Sequence, residues 1–411
     1  MSAPAAPTPA APGHDPADAA GVFADLAGQE ASVARLRRAA GEPGPAHAWL
    51  FTGPPGSGRS SAARAFAAAL QCTEPDPARR GCGRCHACRT VLGGTHPDVT
   101  VLATEAVHYR IEDVRALVEA AQSTPATGRW RIFVIEDADR MTERATNVLL
   151  KAIEEPPPRT VWMLCSPSPA DVLPTIRSRC RVETLRIPAV EDVAALLRRR
   201  DGLDPETALL TARISQCHVG VARRLARDPE ALARREDVLS LPLQTTAVSD
   251  AMGMAARLAE VSHAEAESSA AARDADELAA LRRQLGIAEG ETVPPKLRQQ
   301  VKRLEEDQAR RRKRVTRDAL DRSMLDLIGL FRDVLRVQLG APGDLVNEHR
   351  RAEVERYATG AAGSPAEVVA RIDAIGTARE RLAQNVPEQL ALEALMLALL
   401  PARIRAPRPR P

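Results

Sequence analysis

The stretch Gly53-Pro54-Pro55-Gly56-Ser57-Gly58-Arg59-Ser60 has the make-up of a loop that wraps phosphate groups. Its glycines let backbone N–H groups converge on phosphate oxygens, and a helix starting at Ser60 adds positive potential at its N-terminus. The full pattern is G-x-x-x-x-G-K-[ST], and here Arg59 stands where the lysine belongs. Lysine is a compact charge on a flexible stem and arginine a planar fork, so loop geometry is expected while tight ATP and Mg²⁺ binding is left open. A vestigial turn kept for packing is the competing reading. A second candidate is the run Arg131 to Ile135 followed by Glu136, Asp137 and Asp139. Acids at a strand end can hold Mg²⁺ and activate water, but the usual order is Asp then Glu. The alternative is that Asp137 and Asp139 cap the next helix.

Cys72, Cys82, Cys85 and Cys88 are spaced C-x9-C-x2-C-x2-C, and four thiolates at that spacing satisfy tetrahedral Zn²⁺. With all four positions filled by cysteine, such a site is closed and structural, and His86 is a bystander. Ser178-Arg179-Cys180 follows the strand-like run Val161 to Cys165. Taken alone, Arg179 reads as one surface arginine among many.

The elements that must place these groups follow from hydrophobic patterning. Ala48–Thr52, Asp98–Leu102, Arg131–Ile135 and Val161–Cys165 are short apolar runs separated by helical stretches such as Ser60 to Leu70. That alternation predicts an α/β domain with a parallel sheet covered on both faces, over residues 21–187, with the cysteine module at 72–88. Short helices follow over 188–240, forming a helical lid. Residues 241–400 read as an all-helical collar domain carrying a charged insertion at 262–318. In that insertion Leu278, Leu281 and Leu285, and then Leu297, Val301 and Leu304, predict a helical hairpin interrupted at Gly286 to Pro295. The Ala/Pro-rich residues 1–20 cannot bury apolar surface, and 401–411 is an Arg/Pro tail.

Composition limits the function classes. The chain has 411 residues and a net charge of +3, so it is no polycation, and any DNA contact must come from local patches. Only Lys151, Lys296, Lys302 and Lys313 are lysines. Such an Arg-for-Lys bias could by itself have produced Arg59. No segment approaches 18 apolar residues, which predicts no membrane span, and the start lacks a signal-peptide pattern. Clustered cysteines fit a reducing cytoplasm.

In this order the motifs resemble the bacterial clamp-loader branch of the AAA+ ATPases. The resemblance rests on Asn147-Val-Leu-Leu-Lys151-Ala-Ile-Glu154-Glu155-Pro156-Pro157, on Ser166 ending a strand, and on Ser178-Arg179-Cys180. It also rests on the cysteine quartet after the loop helix, on the opening Phe23-Ala-Asp-Leu-Ala-Gly28-Gln29 and on Gly220-Val-Ala-Arg223-Arg224. It implies an AAA+ P-loop domain with a zinc module, a lid and a collar. Gly53, Gly56, Gly58, Arg59, Ser60, Glu136, Asp137, Ser166 and Arg223 would form a degenerate nucleotide site. Arg179 would act as an arginine finger in trans. The implied partners are ATPase motor subunits and a delta subunit in a hetero-pentamer, primed DNA and, indirectly, the sliding clamp. The departures at Arg59, Glu136 and Asp137 favour the member that keeps the finger and hydrolyses ATP weakly or not at all over the motor itself. A branch-migration helicase would lack the cysteine quartet. A zinc-ribbon DNA binder using Arg79, Arg80, Arg84 and Arg89 would want aromatics for base stacking.

Overall fold

In a computed structural model the described residues are 21–401 and 404, apart from 105–107, 246, 286, 288–292, 295–296 and 385. The expected N-terminal tail, nearly all of the Arg/Pro tail, most of the hairpin interruption and Lys296 therefore lie outside the described residues. The chain divides into two units, one ending at Ala212 and including Cys217–Gly220, the other holding Arg213–Gln216 and Val221 onward. The division passes inside the segment 188–240.

The first unit contains α1 (Glu30–Gly41), β1 (Ala48–Thr52), α2 (Arg59–Gln71), α3 (His86–Leu92), β2 (Val99–Leu102), α4 (Ile111–Ala121) and β3 (Arg131–Ile135). It continues with α5 (Glu143–Glu154), β4 (Thr160–Ser166), α6 (Pro174–Arg177), β5 (Arg181–Thr184) and α7 (Val190–Asp201). Helix α8 (Pro205–Ile214) spans the division. The sheet has the order β2-β3-β4-β1-β5, and every pair is parallel. Every residue of β1 and β4 is buried, as expected for strands covered on both faces. Side chains alternate between two cores. Trp49, Phe51 and Met163 pack with Phe66 of α2, while Leu50, Phe133 and Trp162 pack with α4 and α5. Few aromatics serve both: Trp49 meets Phe66 edge-on at 4.6 Å, and Phe133 stacks on Trp162 at 4.7 Å.

One strand was not anticipated. β5 is one of the two edge strands, four residues long with only Glu183 buried, so it carries little of the apolar signal of an inner strand. Glu183 is held by Arg35 of α1 at 3.1 Å. The register sets Thr52, Ser166 and Thr184 side by side, which brings the carboxyl ends of β1, β4 and β5 to one edge.

The second unit is helical: α9 (Val219–Arg227), whose first two residues belong to the first unit, α10 (Pro229–Leu243), α11 (Asp250–Gln284), α12 (Arg298–Gln338), α13 (Arg351–Gly360), α14 (Pro365–Ala383) and α15 (Glu388–Leu399). Leu258, Leu327, Leu330, Phe331, Leu392 and Met396 lie in its core. The charged insertion is helical, but its two arms are not separate helices. Each is an unbroken extension of a core helix, 35 residues in α11 and 41 in α12. The charge of the insertion does not all face solvent, as Arg311 shows. It lies buried in the seam, 2.5 Å from Asp274 and 3.1 Å from Glu277, beside Gln308, which donates to the Asp274 carbonyl at 2.9 Å. A guanidinium can sit there because both carboxylates come with it.

Candidate phosphate loop, metal cluster and arginine finger

The loop between β1 and α2 has the backbone its glycines predict. Gly56 has φ +88°, and a Cβ there would come within 3.0 Å of His218, so the 218–220 segment closes directly over the loop. Gly53 has φ +148°, and a Cβ there would meet the Leu185 carbonyl oxygen at 2.5 Å. Gln29 ties the opening segment to this loop by donating to the Ser57 carbonyl at 3.3 Å and the Arg186 carbonyl at 2.6 Å. A cavity of about 640 Å³ results, lined by Val22, Leu26, Ser57, Ser60, Arg200 and His218 among others. The Ser57 hydroxyl is buried and has no partner, which fits a loop shaped for a bound anion.

The charges around the loop are already matched. Arg59 folds back onto its own loop and donates to the Gly53 carbonyl at 2.6 Å, with its other terminal nitrogen 3.9 Å from Asp137. Arg140 approaches the other oxygen of Asp137 at 3.6 Å. Glu136 is taken by Arg64, one turn further along α2, at 2.8 Å. Both acids at the end of β3 therefore face guanidiniums. Asp137 stands in the left-handed region, φ +47°, and its side chain caps nothing, so the capping alternative fails there; Thr142 caps α5 instead. Burial pushes the Asp139 carboxyl above its ordinary range. Ser166, buried at the end of β4, donates its hydroxyl to the Ser168 carbonyl at 3.0 Å. Arg223 lies on α9 within the second unit. Arg64 and His218 escaped the sequence reading: Arg64 meets an acid 72 positions away, and no spacing rule reaches that far.

Arg179 sits between α6 and β5 and is 40% exposed. Its guanidinium is held by Glu154 at the end of α5, at 2.7 Å, and donates to the Thr175 carbonyl at 2.8 Å. Cys180 beside it is turned inward, and burial pushes its thiol up to about 12.

The four cysteines come together. Cys72 ends α2, Cys85 caps α3 and Cys88 lies in its first turn. Thiolates about 2.3 Å from a tetrahedral zinc stand about 3.8 Å apart. Here Cys72 and Cys82 are 3.6 Å apart, Cys72 and Cys85 3.9 Å, and all four sulfurs lie within 4.8 Å of one another. The amide of Cys85 donates to the Cys82 sulfur and that of Cys88 to the Cys85 sulfur, each at 3.4 Å. Burial raises the Cys82 and Cys88 thiols. It acts upward on Cys85 too, but bonds from Thr73 and the Cys88 amide outweigh it and bring that thiol to about 6. The cluster can hold a metal ion such as zinc. Among the described residues no helix is long and apolar enough to cross a membrane.

A parallel sheet with a glycine-rich loop opening a helix at the end of a buried strand is the P-loop fold of AAA+ proteins, which is compatible with ATP and Mg²⁺. Residues 28–189 match the family described as "DNA polymerase III, delta subunit". That segment is similar to clamp-loader subunits of DNA polymerase III. The chain is 39% identical over 166 residues to the delta-prime subunit of Pseudomonas aeruginosa, covering 40% of this chain and 50% of that protein. It is 27% identical over 389 residues to the tau subunit of Escherichia coli, covering 95% of this chain and 55% of that one. The gamma/tau subunit of Mycobacterium tuberculosis matches at 35% over 178 residues, 43% of this chain and 31% of its own length. The chain thus spans about a quarter to a half of the length of the curated relatives it matches. Among solved structures, a gamma-subunit-related protein of Thermotoga maritima covers 88% of this chain and 96% of its own, at 17% identity and a TM-score of 0.39.

Proposed function

We propose that this chain is a delta-prime-type clamp-loader subunit of DNA polymerase III. It does not hydrolyse ATP itself but presents Arg179 in trans to ATP bound by a neighbouring motor subunit. The observation that carries this reading is the pairing of both β3 acids with arginines, Glu136 with Arg64 and Asp137 with Arg59. A Mg²⁺ ion would have to displace two guanidiniums to reach these carboxylates, and Arg59 lies where the loop lysine would extend toward the phosphates. Glu136 and Asp137 also keep the reverse of the usual order. By contrast, Arg179 is in a loop fixed at both ends, by α6 and by β5, with its fork partly exposed. A permanently charged planar group suits the charge spread over a transferring phosphoryl group.

The four cysteines would hold one structural zinc, whose chemistry here is to crosslink the end of α2 to α3 and lend folding free energy. The partners in this reading are motor subunits and a delta subunit in a pentamer, with primed DNA and, through the assembly, the sliding clamp. In this reading the protein works in the cytoplasm, with the replication machinery. The helical lid and collar would be the segments 188–240 and 241–400, and Arg223 a second sensor of the nucleotide.

The test is reconstitution. Arg179→Ala should leave the subunit folded and assembled yet lower the DNA-stimulated ATPase and clamp loading of the complex, since such a finger is worth about 10³–10⁵ in rate. Arg177→Ala and Arg181→Ala should do far less, and if all three behave alike the finger assignment fails. A second reading, the ATP-hydrolysing gamma/tau motor, is favoured by the alignment to tau over 95% of this chain. Turnover of ATP by the isolated chain near the enzyme median of about 10 per second would decide for it.

A further inference from the structure

Beside the cysteine cluster is a cavity of about 450 Å³, lined by Cys72, Glu74, Arg80, His86, His96 and Arg129 among others. Arg129 is brought there by a buried acid: Asp98 accepts the amides of Ala126, Thr127 and Gly128 at 2.6, 2.8 and 2.6 Å and so fixes the loop before β3. From that loop Arg129 donates to the carbonyls of Leu70 at 2.6 Å and Cys72 at 3.1 Å. Arg80, from the chain between Cys72 and Cys82, donates to the Ala40 carbonyl at 3.0 Å. The Nε atom of each arginine is buried and has no acceptor.

Neither arginine has an ion-pair partner among the described residues. Several other arginines of the same unit do, although Arg159 and Arg177 also bond only to carbonyls: Arg35 meets Glu183, Arg64 meets Glu136, Arg131 meets Asp98 and Arg179 meets Glu154. Glu74 lines the same cavity but forms no ion pair with either. Two half-buried guanidiniums without an anion lose hydration and repel one another. A helix C-terminus offers them only about half a negative charge. Four thiolates around a divalent cation carry two net negative charges, which two guanidiniums would cancel.

We propose that Arg80 and Arg129 are the counter-charges of a tetrathiolate metal centre at Cys72, Cys82, Cys85 and Cys88, and that their charge, beyond their carbonyl hydrogen bonds, retains the metal. The inference rests on the metal reading of the cysteines given above. It makes the arginines positioning residues of the module: without them the thiolates repel one another and the cluster opens to solvent and to competing ligands.

The experiment strips the full chain of metal and titrates it with Co²⁺, following the thiolate-to-cobalt absorption, then competes the ion away with a chelator. The wild type is compared with Arg80→Gln/Arg129→Gln, which keeps hydrogen-bond donors and removes charge, and with Arg80→Lys/Arg129→Lys, which keeps charge and loses the fork. Partners around metal ligands are worth about 10–100-fold in affinity, so the glutamine pair should bind Co²⁺ weaker by about that factor and the lysine pair within about threefold of wild type. Circular dichroism of the metal-loaded proteins guards against misfolding. Should the double variant not fold, Arg80→Gln alone, which disturbs a single carbonyl bond, should still weaken Co²⁺ binding by roughly half as much on a logarithmic scale. Wild-type affinity in the glutamine proteins overturns the proposal, as does equal loss in the glutamine and lysine pairs, which would assign the effect to hydrogen bonding. A wild-type chain with no cobalt absorption sinks the metal reading itself, before any variant is made.

Discussion

Replacing Asp98 by Asn should unfold the first unit at a markedly lower temperature. Asp98 is completely buried, and its two oxygens are fully used. One accepts the Ala126 amide and Arg131; the other accepts the Thr127 amide at 2.8 Å, the Thr127 hydroxyl at 3.1 Å and the Gly128 amide at 2.6 Å. Asparagine offers one acceptor oxygen, so in either orientation its NH₂ group faces at least two donors. Each buried donor left unpaired costs roughly 1–3 kcal/mol, so a loss of about 3–5 kcal/mol is expected after relaxation. For a unit of this size that corresponds to a fall in Tm of about 6–20 °C. The pH dependence supplies a second check. Burial acts against the Asp98 charge, yet the amides of Ala126, Gly128 and Thr127 hold its pKa well below the ordinary range. Its folded pKa therefore lies below the unfolded value of about 3.9, and the unfolded chain binds the extra proton. The stabilisation is present in full above about pH 5 and lost as pH falls through and below the unfolded value. Scanning calorimetry from pH 7 to pH 3 should show the gap between wild type and Asp98→Asn narrowing on acidification. A gap that stays constant, or a Tm loss under about 3 °C at pH 7, would refute the reasoning.

The remaining predictions concern the site itself. Metal analysis should give one zinc per chain, and Cys82→Ser should lose it and destabilise the module; four freely alkylated cysteines in a metal-free native protein would contradict this. The isolated chain should turn over ATP negligibly, and Arg59→Lys combined with Arg64→Ala should raise nucleotide affinity, measured by fluorescent-nucleotide titration, more than turnover, because Glu136 and Asp137 keep their order. If turnover rises as much as affinity, the acids are not the barrier. Glu154→Gln should release Arg179 from its 2.7 Å ion pair at little cost in stability, since half-exposed pairs are worth about 0–1 kcal/mol. In a reconstituted assembly it should match or exceed wild-type ATPase, and a drop as deep as that of Arg179→Ala would mean that Glu154 positions the finger.

What could be read from the sequence was what is written locally. The spacing of Gly53, Gly56 and Gly58 specifies a backbone, and the two C-x2-C steps specify a cluster, because both act within one turn of chain. The three inner strands β1, β3 and β4, and β2 at one edge, announced themselves by largely apolar runs. β5 did not, since it exposes three of its four residues. Nor could the run Arg310 to Arg314 reveal that its second member turns inward, because the acids that permit it, Asp274 and Glu277, lie on the other arm. The pairs Arg64–Glu136 and Arg179–Glu154, and the loop held by Asp98, join residues 25 to 72 positions apart. Pattern alone marked Asp98 as the start of a strand and nothing more.

The continuity of α11 and α12 with the core of their unit has a mechanical consequence. At about 1.5 Å per residue these helices are about 52 and 61 Å long. A force applied at the far end of such a rod is not absorbed by a tether; it arrives as a tilt or twist among Leu258, Leu327 and Leu330 in the core. The rod also sets its own gauge. Residues added to one arm alone would rotate Arg311 by about 100° per residue away from Asp274 and Glu277, stranding a cation in the seam. The two arms can therefore lengthen or shorten only together and by near-whole turns, so that their reach is graduated in steps of about 5 Å.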